Sequence, residues 1–380
     1  MKTILFDLLE AQPTSTSKFH GGGEYIKAVF AKMVEEYAEE CRLIVFYDFD
    51  KFIDAWLEDI LEEKKIKKYN IKKNQDIRTI FEEEKIDVFY SGLPYYYQKK
   101  DIPLDVRVKG TVHGLRTVEM PADKYAYLYS GGKSRIKEIV RYVVKDYYRK
   151  KKKQEFEKCI ELLDDLICVS NHTRFSIMKN YPMLNDREIS VFYTPQKKAQ
   201  FSMAEKSPIE NKYILVMGGD RWIKNCYRSI LAIEKLFDSG YLKGYKVVVV
   251  GNLNPSIKRK ISNLSKYIIK DYVETAELET LYKFADFFVY ASLNEGFGMP
   301  PLEAMKYGIT CVVSGVCSLP EVCGAAVYYV NPYDIDEIAT RILSAANVKI
   351  DPTLVKNQYN VIYQKQYEDL VGVCKFIVGQ

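Results

Sequence analysis

In Glu295-Gly296-Phe297-Gly298-Met299-Pro300-Pro301-Leu302-Glu303, two carboxylates bracket a glycine-rich turn that runs into a proline-started helix. Glycine at 296 and 298 allows positive φ and lets bare backbone N–H groups approach a ligand. Proline at 300 or 301 suits the first turn of a helix, where a missing N–H costs nothing. The positive end of that helix points back at the turn, as a phosphate would require. Flanking carboxylates accept hydrogen bonds from hydroxyls. A sugar nucleotide offers both groups. Taken alone, the same residues also describe an ordinary turn with two surface acids.

A second segment, Gly218-Gly219-Asp220-Arg221-Trp222-Ile223-Lys224-Asn225, follows an apolar run and precedes a helical pattern. Arg221 offers a planar fork to phosphate oxygens and Lys224 a point charge. Asn225 is a candidate helix cap.

Both segments need elements to hold them. Ile4–Phe6, Leu43–Tyr47, Val88–Tyr90, Val106–His113 and Leu166–Ser170 read as strands of a first domain. Tyr213–Met217, Val247–Val250, Phe287–Tyr290, Thr310–Ser314 and Ala326–Val330 read as strands of a second. Helical patterns separate them, among them Asn225–Phe237, Glu277–Phe284 and Pro300–Lys306. Alternation of this kind predicts an α/β chain with doubly wound parallel sheets. A run such as Val247-Val248-Val249-Val250 suits a strand covered on both faces. The polar stretch around Thr194–Lys212, with Pro195 and Pro208, marks the boundary. The expected division is a first domain over 1–195, a linker over 196–211, a second domain over 212–360, and a C-terminal helix over 361–380 that returns to the first domain.

Composition fits two globular domains in 380 residues, with 47% hydrophobic and 28% charged residues. The net charge of +5 is modest but unevenly spread. Lys64, Lys65, Lys67, Lys68, Lys72 and Lys73 form one basic stretch. A second lies in 134–161, which reads as a long helix interleaving Ile136, Ile139, Val140, Val143, Val144, Tyr147 and Tyr148 with lysines and arginines. That helix is either a core helix with a solvated charged face or a docking element for an anionic membrane surface. No helix-turn-helix or RNA-motif spacing supports nucleic-acid binding. Eight scattered cysteines without a C-x-x-C pair suggest buried thiols in a reducing compartment. The only histidines are His20, His113 and His172, which makes a His/Cys metal site unexpected. The N-terminus lacks the apolar run of a signal peptide and no stretch is long enough to span a membrane, so a cytoplasmic protein is expected.

With these segments in place, the second half resembles the donor-binding domain of family 4 retaining glycosyltransferases, which have the GT-B fold of two Rossmann-like domains facing across a cleft. Glu295 and Glu303 match the family's E-x7-E element. The run Tyr290–Pro300, Leu302-Glu303-Ala304-Met305 and Ser318-Leu319-Pro320-Glu321-Val322 extend the likeness, which covers roughly residues 213 to 345 and the first domain only loosely. The resemblance implies that Glu303 holds the ribose hydroxyls and Glu295 contacts the transferred sugar. It also implies that backbone at Gly296, Phe297, Gly298 and Met299, with Leu302 and Gly219, lines the donor site. Arg221 and Lys224 would neutralise the departing diphosphate. The family often has arginine directly after the first glycine of this strand; Gly219 stands there, and Arg221 is its candidate substitute.

In the first domain, Gly21-Gly22-Gly23 lies between a strand and a helix beginning near Glu24. The triplet reads as a loop that could bring Gly22 and Gly23 to the phosphates or the acceptor, or as a flexible hairpin-like loop. The resemblance places His113, at a strand end, near the donor sugar, where a lone histidine can equally be a satisfied structural group. The implied function is retaining, metal-independent transfer of a hexose-type sugar from a nucleotide diphosphate to a glycan or lipid-linked acceptor, without a cofactor, in polysaccharide or glycoconjugate synthesis. The competing expectation is a non-catalytic partner subunit that keeps the fold.

Overall fold

A computed structural model describes residues 1–13, 20–72, 75–184, 186–196 and 204–380. Contacts divide the chain into two compact units. One comprises Met1–Leu115, Lys151–Lys198 and Tyr363–Gln380; the other comprises Arg116–Lys150 and Ala199–Ile362. Part of the expected linker, 197–203, and Lys73 of the first basic stretch lie outside the described residues.

The first unit holds a seven-stranded parallel sheet. Its strands are β1 (Lys2–Asp7), β2 (Cys41–Tyr47), β3 (Lys67–Asn70), β4 (Val88–Ser91), β5 (Arg107–Val112), β6 (Asp165–Cys168) and β7 (Ile189–Val191). Their order is β3-β2-β1-β4-β5-β6-β7. The central strands are apolar runs and were legible as such. β3 and β7 were not. β3 is an edge strand of Lys67-Lys68-Tyr69-Asn70, part of the stretch read only as a basic patch. Its cations are matched locally: Lys67 pairs with Glu84, and Lys72 just beyond it lies 2.6 Å from Asp50. Lysines on an edge discourage pairing with another chain. The end of the helix Pro352–Val378 closes this unit, where Lys2 Nζ donates to the Val378 carbonyl at 2.8 Å and Tyr193 N to Asp369 at 2.8 Å.

The second unit repeats the architecture with six parallel strands: β8 (Tyr213–Met217), β9 (Lys246–Val250), β10 (Tyr267–Lys270), β11 (Phe287–Tyr290), β12 (Thr310–Ser314) and β13 (Tyr328–Val330). The order is β10-β9-β8-β11-β12-β13. β8 and β9 run side by side with Val216 opposite Val249, and Val247, Val248 and Val249 are fully buried. The strand order reverses between β8 and β11. In open α/β sheets the loops leaving two such strands diverge and open a ligand site at their C-terminal ends.

Residues 116–150, expected within the first domain, group with this second unit. Leu128 packs in its apolar core beside the helix Cys226–Asp238. Tyr227 N donates to the Tyr129 hydroxyl at 2.7 Å. Arg228, 2% exposed, donates to both oxygens of buried Asp123 at 3.2 and 2.8 Å and lies 4.7 Å over the Tyr125 ring. A buried cation left without its carboxylate costs about 3–5 kcal/mol. Asp123→Ala is therefore expected to lower unfolding stability by about that amount, read as an earlier urea midpoint with unchanged slope.

Candidate active site

The two segments singled out by their chemistry leave the paired strands β8 and β11. After β8, the chain turns at Gly218 (φ +79°), where a Cβ would meet Lys224 Cβ at 2.4 Å. This glycine lets the Lys224 stem lie against the backbone. At Gly219 a Cβ would stand 2.4 Å from the Gly251 carbonyl oxygen. Main chain of the loop after β9 thus excludes any side chain there, which is why arginine is absent from that position. Arg221 is exposed at the start of the short 3-10 turn Trp222–Lys224.

Asn225 does not cap the following helix, as its residue type had suggested. It adopts a left-handed conformation (φ 59°), which asparagine tolerates better than most residues. Its side chain donates to the carbonyls of Ala291 at 2.9 Å and Pro332 at 2.7 Å and accepts from Arg228 at 2.8 Å. These buried bonds hold the strained residue and aim Lys224 at the loop after β11.

There Lys224 Nζ lies 2.6 Å from Glu295 Oε1 and 2.5 Å from the Tyr290 hydroxyl. Tyr290 and Ser292 also donate to Oε1, at 2.7 and 2.6 Å. All three donors meet on one oxygen, and Oε2 has no hydrogen-bond partner among the described residues. Burial alone would raise the Glu295 carboxyl. The Lys224 charge and these hydrogen bonds outweigh it and hold the group below the usual carboxylate range, hence ionised. The Tyr290 phenol is pushed far up, first by burial, then by Glu295 and also by Glu303, while Arg221 acts the other way. Both acids and Arg221 therefore act on one hydroxyl.

The turn between the acids is clamped from below. Ser318 Oγ donates to the carbonyls of Glu295 at 3.1 Å and Phe297 at 2.7 Å. Of the two glycines, only Gly298 takes positive φ (+114°); Gly296 does not. Gly298 precedes the helix Met299–Met305, with Pro300 in its first turn. Glu303 on that helix accepts from the Tyr282 hydroxyl at 3.2 Å. Leu302 and Phe297, expected among donor-binding residues, have buried side chains, so only their backbone is available to a ligand. Sequence reasoning assigned no role to Tyr282, Tyr290, Ser292 or Ser318. The signal for Tyr290 and Ser292 was their place at the C-terminal end of the strand that carries Glu295.

In the first unit, the glycine triplet is not a loop. Gly21, Gly22 and Gly23 form the first turn of the helix Gly21–Tyr37, capped by His20 Nδ1 accepting from Gly23 N at 3.1 Å. A Cβ on Gly22 would meet Leu93 Cδ1 at 2.7 Å, so close packing accounts for that residue. His113 follows β5, with its ring edge-on to Tyr25 at 4.7 Å and Nε2 at 3.0 Å from the Gly92 carbonyl. A carbonyl only accepts, so Nε2 carries the proton and Nδ1 is an acceptor. Burial lowers the His113 pKa to about 4, so the ring is neutral near pH 7. Asp7, at the C-terminal end of β1, escaped sequence reasoning. It accepts from Ser91 at 2.7 Å and Tyr97 at 2.8 Å, and burial lifts its pKa to about 6.

The His113 shift makes stability depend on pH. An unfolded histidine takes up a proton below about 6.5, whereas the folded one resists until about 4. The contribution is present in full above the unfolded value. It drains away as pH falls through that window, by at most about 1.4 kcal/mol per unit. Asp7, raised to about 6, pulls the other way in the same window, so the difference isolates His113: in urea melts between pH 7.5 and 4.5, wild type should lose more stability on acidification than His113→Gln does.

Residues 198–361 match the family described as glycosyl transferases group 1. The O-antigen chain mannosyltransferase RfbU of Salmonella typhimurium is 30% identical over 198 residues, 51% of this chain and 53% of that protein. The O-antigen chain mannosyltransferase B of Escherichia coli is 33% identical over 230 residues, 53% of this chain and 57% of that protein. The chain thus spans about half the length of these curated relatives. Among solved structures, Anabaena Alr3699/HepE in complex with UDP-glucose superposes with a TM-score of 0.64 at 14% identity, covering 100% of this chain and 99% of that one. A glycosyltransferase from Rickettsia africae gives 0.61 at 16% identity, covering 99% and 98%. The chain has the GT-B fold, with two Rossmann-like parallel-sheet domains, and its residues 198–361 are similar to the group 1 glycosyl transferases.

Proposed function

We propose that the protein transfers a hexose-type sugar, with mannose the first candidate, from a nucleotide diphosphate donor to a hydroxyl of a glycan or lipid-linked acceptor. Transfer would retain anomeric configuration, need no metal, and serve surface polysaccharide or glycoconjugate synthesis in the cytoplasm. One observation carries the reading: the Lys224–Glu295 pair at the β8/β11 switch point, with three donors on Oε1. Burying two charges is costly, and replacing such a pair by apolar residues is often neutral or stabilising. Its placement where ligands bind points to use rather than support.

In this reading Glu295 Oε2 accepts a hydroxyl of the transferred sugar, and Glu303 accepts those of the ribose. The diphosphate gathers negative charge as the glycosidic bond breaks. Lys224, whose ammonium has a third N–H beyond those given to Glu295 and Tyr290, meets that charge with Arg221 beside it. Preorganised cations of this kind stabilise developing charge most where water is excluded. The mannose preference follows the two O-antigen relatives, and the nucleotide donor follows the UDP-glucose complex.

Thermal shifts against UDP-, GDP- and dTDP-sugars would find the donor, because a ligand of the folded state raises its melting temperature. With that donor, Glu303→Ala should weaken binding by roughly tenfold or more in calorimetry, since a hydrogen bond to a charged group contributes about 1.5–3 kcal/mol. Unchanged affinity would remove its ribose role. Lys224→Ala should lower kcat about 10²–10³-fold with a smaller change in donor affinity. A full-rate variant would overturn the leaving-group argument. Product stereochemistry by NMR and turnover in EDTA decide retention and metal independence.

A further inference from the structure

The long basic helix expected over 134–161 is two helices, Gly132–Val143 and Lys145–Leu162, meeting at Val144. The first has no buried residue. Its apolar side chains face outward: Ile136 is 65% exposed, Val143 76%, and Tyr147 just beyond it 73%, with Ile139, Val140 and Val144 exposed between them. Positions 136, 139, 140, 143, 144 and 147 recur at helical spacing and form one stripe. The half-buried residues of the same helix are Arg135, Glu138 and Arg141. Arg135 lies 5.1 Å over the Tyr127 ring, and Arg141 donates to Glu138 at 2.8 Å. The helix is therefore inside out: polar residues face its own unit and the apolar stripe faces solvent. A core helix with a solvated charged face, one of the two sequence readings, does not fit this orientation.

Charge selects the occupant. Between 133 and 150 there are seven lysines and arginines against two acids, Glu138 and Asp146. Each acid is already paired, with Arg141 at 2.8 Å and Arg149 at 2.6 Å. Lys133 and Lys137 are exposed along one border of the stripe. A second copy of the chain would set like charge against like. An anionic bilayer offers apolar depth for the isoleucines and valines and negative headgroups for the cations. Exposed Tyr142 and Tyr147 have the amphipathic rings favoured at that boundary.

We propose that the face formed by Ile136, Ile139, Val140, Val143 and Tyr147 docks on an anionic lipid surface, with the helix in the plane of the headgroups. This inference does not rest on the sugar-transfer reading. The test is flotation of the full chain with phosphatidylcholine vesicles and with phosphatidylcholine–phosphatidylglycerol vesicles. Binding should favour the anionic vesicles by about tenfold or more and weaken as salt rises. Ile136→Ser combined with Val143→Ser should reduce binding at least roughly tenfold, with unchanged circular dichroism and melting temperature because both side chains are exposed. Lys133→Glu with Lys137→Glu should reduce it as well. In Val143→Trp, the tryptophan emission should shift to the blue on anionic vesicles. Flotation with neither vesicle, or equal flotation of the Ile136→Ser/Val143→Ser protein, overturns the proposal. So does a concentration-dependent dimer in light scattering that the same double substitution abolishes, which would assign the face to a second copy.

Discussion

A buried lysine–glutamate pair at the point where the second sheet reverses its strand order is the constraint around which this site is built. The pair spans two loops, one leaving β8 and one leaving β11, so its geometry requires both strands in register. Lys224 reaches Glu295 only because Gly218 leaves room for its stem and Asn225 accepts a left-handed backbone. Asn225 is in turn held by carbonyls of Ala291 and Pro332. Glu295 is held by Ser292 and Tyr290 at the end of its own strand, and its loop by Ser318. The charges are thus fixed by polar bonds from several elements, which is how a costly pair persists in a folded protein.

A second buried pair plays a structural part in the same unit. Arg228 and Asp123 bring residues from 116–150 onto the helix that follows Lys224. Arg228 also donates to Asn225, so this segment braces the residue that aims Lys224. Support for the site therefore comes from far upstream in the chain. The helix Gly132–Val143 belongs to the same segment, and its reversed polarity follows from what it packs against. An aromatic turn holding Tyr127 takes the arginine face and leaves the apolar stripe outside.

The sequence by itself determined the class of fold, because alternating apolar runs and helical periods leave few other solutions. It also marked Glu295, Glu303 and Lys224, since acids, a lysine and glycines at strand ends are a local signal. It read the apolar central strands β1, β2, β4, β8, β9, β11 and β12, but not β3, whose Lys-Lys-Tyr-Asn composition carries no apolar run. What only tertiary structure decided was everything set by neighbours distant in sequence. Gly219 is glycine because of the Gly251 carbonyl. Asn225 is not a cap because Ala291 and Pro332 claim its amide. The triplet Gly21–Gly23 is helix rather than loop, since His20 caps it and Leu93 packs on it. Periodicity showed that residues 136–147 form an apolar stripe, but a stripe has no inside or outside until something packs on the opposite face.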